Sequence, residues 1–131
     1  MYESRLILIT TIFFASSMVL GKATPEEAEK DVFRAKCIGC HAINCNRNGP
    51  KLGGVMGRNA GGVTDFPGYS EALKKSGVVW TDKTLDDFLK DPNKLVPGTK
   101  MASAGGVDSA QQRRLLIRFI KRTDTSLDLC F

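Results

Sequence analysis

The stretch that most constrains this chain is Cys37-Ile38-Gly39-Cys40-His41. Two thiols separated by a pair of residues share one turn of helix, and an imidazole follows the second directly. This is the arrangement through which haem c is attached, the thiols adding across the porphyrin vinyls and the histidine lying under the iron. A thioredoxin-type redox motif would follow a strand inside a βαβ pattern, and no such pattern surrounds it. A structural zinc site could draw on Cys37, Cys40, His41 and Cys45. Adjacent Cys40 and His41 are awkward partners for one tetrahedral ion, and there is no second C-x-x-C to complete the set.

Elimination then narrows the second axial ligand. His41 is the only histidine, so another imidazole cannot face it across the iron. Methionine is the alternative in electron-carrying haems and raises their potential. Of the four methionines, Met1 and Met18 fall in an expected N-terminal export signal, which leaves Met56 and Met101. Met101 ends Val96-Pro97-Gly98-Thr99-Lys100-Met101, where proline and glycine impose a fixed turn suited to presenting a weak thioether donor. Met56 sits in a glycine-rich run and reads as a core filler. His41 and Met101 are therefore the expected metal ligands.

With Cys37-Ile38-Gly39-Cys40-His41 stand Gly49-Pro50, Gly57-Arg58, Gly77-Val78-Val79-Trp80 and Pro97-Gly98-Thr99-Lys100-Met101. In this order and at these separations they resemble the class I c-type cytochromes, of the small soluble cytochrome c and cytochrome c2 type, from about Ala28 to Lys121. The resemblance implies an all-α fold, three main helices and one short one around a single haem c bound through Cys37 and Cys40. It implies an electron carrier rather than an enzyme. It gives Pro50 a carbonyl that accepts from the far nitrogen of His41, and makes Arg58, Tyr69 and Trp80 contacts of the haem propionates. It also exposes departures: Glu29 where the family usually has glycine at a helix crossing, Leu73 for asparagine, Phe88 for a tyrosine that bonds the methionine sulfur, and Ser103 for phenylalanine. The loop from His41 to Pro50 is shorter than the mitochondrial type.

At 131 residues the chain holds one domain. Arg5 precedes an apolar run from Leu6 to Leu20, and Gly21-Lys22-Ala23 offers small residues where a signal peptidase cuts. The run is short for a membrane span. Residues 1–23 thus read as an export signal, with a retained anchor as the alternative, followed by a cytochrome domain over 24–122 and a tail over 123–131. Export implies a periplasmic location and permits disulfides. Cys45 and Cys130 remain once the haem has taken its pair, and either a bridge or two free thiols fits. The net charge of +5 suits acidic protein partners. No basic run interleaved with aromatics marks nucleic-acid binding.

The remaining signals are local. Thr24-Pro25-Glu26-Glu27 starts a helix with a capping box and delivers it into Cys37. Ser70 caps a short helix that Gly77 ends, and Thr81 starts another that stops at Asp91-Pro92. Ser109 and Gln112 open the last, with Leu115, Leu116, Phe119 and Ile120 buried against Val32 and Phe33, and Arg113, Arg114, Arg118 and Lys121 in water. With both axial positions filled, outer-sphere transfer of one electron is expected. Lys36 and Lys100 flank the haem motif and the axial methionine, and with Lys90, Lys94 and Lys51 form the expected docking ring. The partner is an oxidase, a bc1-type complex or a dehydrogenase, and the protein is expected to be a monomer.

Overall fold

A computed structural model describes residues 23–123 and residue 130. The expected export signal, apart from Ala23, and most of the 123–131 tail lie outside the described residues. The elements are α1 (Pro25–Lys36), α2 (Glu71–Lys75), α3 (Asp82–Lys90), α4 (Pro92–Leu95), a 3-10 turn (Lys100–Ala104) and α5 (Ala110–Arg122). Among the described residues there is no strand, only an isolated antiparallel bridge between Asn59 and Val79.

The helix starts follow their caps. The Thr24 hydroxyl accepts from Glu27 N–H while the Glu27 carboxylate accepts from Thr24 N–H, and Pro25 takes the first helical position. Thr81 and Thr84 form the same reciprocal box at α3, whereas Ser70 caps α2 by accepting from Leu73 N–H alone. At α5, Ser109 accepts from Gln112 N–H, which is half of the box read from the sequence. The short α4 was not expected. Pro92 cannot continue α3, but its fixed φ suits a first helical position, and Asp91 accepts from Lys94 N–H at 3.0 Å. One residue pair thus ends one helix and starts the next.

The core forms where α5 lies against α1 and α3. Phe33 and Phe119 stack with ring centroids 4.8 Å apart, over a fully buried Leu116. Two expectations for α5 need correction. Ile117 is buried while Leu115 is half-buried. Arg113 is not in water at all: it is 6% exposed and its guanidinium meets Asp86 on α3 at 2.8 Å. A buried charge requires such a partner, and nothing in helical periodicity reveals one.

Glu29 is likewise buried, between α1 and α5. Arg118 Nε lies 3.1 Å from one carboxylate oxygen and Arg122 Nη2 lies 2.7 Å from the other. The two helices therefore meet through an ion-paired carboxylate where the family pattern has bare backbone. Cys45 and Cys130 form a disulfide with Cα atoms 5.5 Å apart, the ordinary separation for such a bridge. This decides between the two alternatives left by the sequence. No helix among the described residues is long and apolar enough to cross a membrane.

Candidate cofactor site

Helix α1 ends by feeding its last carbonyls into the thiol turn. Cys37 N–H donates to Phe33 O at 2.8 Å, and the N–H groups of Cys40 and His41 both donate to Cys37 O, at 3.0 and 2.8 Å. This winding brings Cys37, Cys40 and His41 onto one cavity. Both thiols are free; Cys37 is buried and Cys40 exposed. Burial, reinforced by the neighbouring Cys40, pushes the Cys37 thiol up to about 12. Cys45, the third thiol a zinc site could use, is spent on Cys130. Among the described residues no three His, Cys, Asp or Glu side chains converge to hold a metal ion.

His41 is oriented by its own loop. Its Nδ1–H donates to Pro50 O at 2.8 Å, which leaves Nε2 unprotonated and makes it a better donor to a metal. Burial holds the imidazole below the usual histidine range, against the pull of that hydrogen bond. Gly49 lies flat on the ring: a Cβ there would come within 2.3 Å of His41 Cε1. Its N–H donates to Cys40 O at 2.8 Å, and Arg47 reaches Ile38 O at 2.7 Å, so the loop folds back on the thiol turn.

The bridge between Asn59 and Val79 brings two further expected residues together. Gly57 N–H donates to Trp80 O at 2.8 Å and Trp80 N–H to Arg58 O at 3.0 Å. Gly57 has φ +77°, a conformation that a side chain disfavours. Arg58 and Trp80 thereby line the same cavity, joined by Tyr69. Arg58 donates to the carbonyls of Gly53 and Lys51 at 3.1 and 2.9 Å, leaving others of its five donors uncommitted. The Tyr69 oxygen accepts from Val63 N–H at 3.4 Å. The Trp80 side chain is buried against Phe88, with centroids 5.0 Å apart.

Met101 enters the cavity from the 3-10 turn, and Met56 does not line it but packs against the core. The turn starts at Thr99, 5% exposed, whose N–H donates to Val96 O at 3.1 Å. Gly98, at φ +87°, donates its N–H to Asn93 Oδ1 at 3.1 Å. The remaining walls are apolar, among them Leu52, Val55, Leu73, Leu85, Phe88 and Leu89, with exposed Ser103 and Lys100 at the mouth. The cavity encloses about 310 Å³. A free thiol pair, an imidazole nitrogen stripped of its proton, an apolar wall and a cluster of Arg, Tyr and Trp donors match a macrocycle with a metal centre and carboxylate arms.

No protein-family model matches the chain. It is 43% identical over 97 residues to cytochrome c type-1 of Ascaris suum, a match covering 72% of this chain and 85% of that protein. Cytochrome c2 of Blastochloris viridis is 35% identical over 118 residues, covering 88% of this chain and 91% of its own. Cytochrome cH from Methylobacterium extorquens superposes with a TM-score of 0.66 at 40% identity, over 72% of this chain and 94% of that one. Likeness of this degree over most of both partners, around a cavity that gathers the thiol pair and its histidine, makes this chain a class I c-type cytochrome, a member of a family of electron carriers that bind haem c covalently, here through Cys37 and Cys40.

Proposed function

We propose that this protein is a monohaem carrier that passes one electron at a time between partner proteins, with His41 and Met101 as the two axial ligands. The observation that carries the reading is that Cys37, Cys40, His41 and Met101 open onto one cavity, with the His41 ring fixed so that Nε2 is the free nitrogen. When bound, the haem supplies a one-electron Fe(III)/Fe(II) couple whose potential the axial ligands set. The chain's own residues would offer His41 and Met101 to the metal, exclude water with Leu52, Leu85, Phe88 and Leu89, and offer Arg58, Tyr69 and Trp80 to the propionates. Such an arrangement leaves no ligand position for a substrate, which favours outer-sphere transfer over catalysis.

Exposed Lys36 and Lys100 are the proposed centre of the docking face, with Lys90 and Lys94 as further candidates. An acidic oxidase, bc1-type complex or dehydrogenase is the fitting partner, and reduction rates should fall as salt rises. The Cys45–Cys130 bridge supports export to an oxidising compartment through residues 1–23. The test is the spectrum of the reduced holoprotein produced with haem-attachment machinery. A low-spin spectrum with a weak sulfur charge-transfer band in the oxidised form, and no carbon monoxide uptake in the native ferrous form, is expected. A five-coordinate spectrum would remove the Met101 assignment and with it the closed-shell carrier.

A further inference from the structure

We infer that Arg113 is a positioning residue for the thioether side of the cavity, bolting down the point where the Met101 segment leaves it. The inference rests on Met101 being an axial ligand. Arg113 lies on α5, 6% exposed, and spends its hydrogen bonds away from its own helix. Nη1 donates to the carbonyls of Val107 and Asp108, both at 2.8 Å. Nε donates to Asp86 on α3, also at 2.8 Å. The two carbonyls belong to the stretch of chain that follows the 3-10 turn carrying Met101.

The same stretch is pinned from its other side. Val107 N–H donates to Leu89 O at 2.8 Å. Gly106 presses so closely on the end of α3 that a Cβ would come within 2.1 Å of Lys90 O. Asp86, Leu89, Val107 and Arg113 thus form a closed circuit of α3, loop and α5, and Leu89 within it lines the cavity. At the entry side Gly98 is tied to Asn93 and Lys100 Nζ to Gly68 O at 2.9 Å. Met101 therefore hangs between two anchors.

A thioether is a weak donor, so its hold on a metal depends on how often the segment already has the sulfur in place. If only a fraction of molecules presents it correctly, apparent ligation weakens by that fraction. Releasing the exit anchor lowers the fraction without touching the ligand or the porphyrin. Hydrogen bonds from a charged donor at this depth are each strong enough for a tenfold effect.

The experiment measures binding of imidazole to the ferric holoprotein, together with the sulfur charge-transfer band, in wild type, Arg113→Met, Arg113→Lys, Arg122→Gln and Met101→Ala. Arg113→Met should bind imidazole about tenfold or more tightly than wild type, and Arg113→Lys should fall between them. Arg113→Lys also stands in if Arg113→Met does not fold. Arg122→Gln breaks a comparable ion pair on the α1 side of the same helix; it should lower the melting temperature while leaving imidazole affinity unchanged. Wild-type affinity in Arg113→Lys and Arg113→Met overturns the inference, as does an equal rise in Arg122→Gln, which would make the effect one of general stability. If wild type shows no sulfur band and Met101→Ala does not change imidazole affinity, the ligand reading fails, and the role of Arg113 fails with it.

Discussion

His41 reaches the cavity from a loop closed by covalent bonds on both sides, whereas Met101 comes from a segment held only by noncovalent contacts. On the first side Cys40 takes a thioether, Cys45 is bridged to Cys130, and Gly49 and Pro50 clamp the ring between them. On the second side the segment is held by the hydrogen bonds of Thr99, Gly98, Lys100 and Val107, by the Arg113 carbonyl contacts and by packing against the core. A covalent tether removes chain entropy before any ligand bond forms. A hydrogen-bonded segment still has local openings available to it. On the proposed ligation by His41 and Met101, the nitrogen ligand should be close to permanent and the sulfur ligand exchangeable, in one molecule and around one metal.

The sharpest way to break this contrast is to remove the tether itself. Replacing Cys37 and Cys40 together by alanine should abolish covalent haem and leave a pale, largely unfolded chain, seen by absorbance and circular dichroism. A stably folded colourless protein would show that the thiol side does not organise the fold. Met101→Ala should leave a folded red protein that binds carbon monoxide, with the potential lowered by on the order of a few tenths of a volt; unchanged ligation would erase the distinction between the two sides. Replacing Cys45 and Cys130 by serine should cost about 2–5 kcal/mol in denaturant unfolding while the sulfur band persists. Loss of that band first would mean the bridge serves the wrong side.

Two smaller changes sharpen the comparison. Gly49→Ala drives a methyl into the His41 ring, and overpacking of this kind costs about 1–3 kcal/mol. The loss should appear in thermal unfolding, and a melting temperature equal to wild type would deny the ring its steric clamp. Phe88→Tyr offers the Met101 sulfur a hydroxyl donor, since Phe88 lines the cavity with it. It should move the potential by less than Met101→Ala and make imidazole compete less well. An unmoved potential in redox titration would mean that a hydroxyl at this position does not reach the sulfur.

What could be read from the sequence was whatever depends on neighbours along the chain. The thiol turn, the caps at Thr24, Ser70, Thr81 and Ser109, and the fixed turn before Met101 are all local grammar, and the structure has them where they were expected. Gathering Arg58, Tyr69 and Trp80 at one cavity required the family pattern, because a lone arginine or tryptophan carries no address. Arg113 was misplaced for the opposite reason. Its helical position is polar, and only Asp86 and two loop carbonyls brought in by the tertiary fold make burial tolerable. Glu29 shows the same limit, its partners lying on the far helix. Cys45 and Cys130 could be paired by subtraction, but only coordinates could choose between a bridge and two thiols.

The bridge also changes the topology of the polypeptide. By joining positions 85 residues apart, it turns nearly the whole domain after the thiol turn into a covalent ring, with α1 as an outside arm just ahead of the Cys37 and Cys40 thioethers. A single peptide cleavage anywhere on that ring therefore releases no fragment: the severed ends stay within one molecule, able to close again around the porphyrin. If the protein is exported as proposed, a nick there would cut the chain without dispersing it.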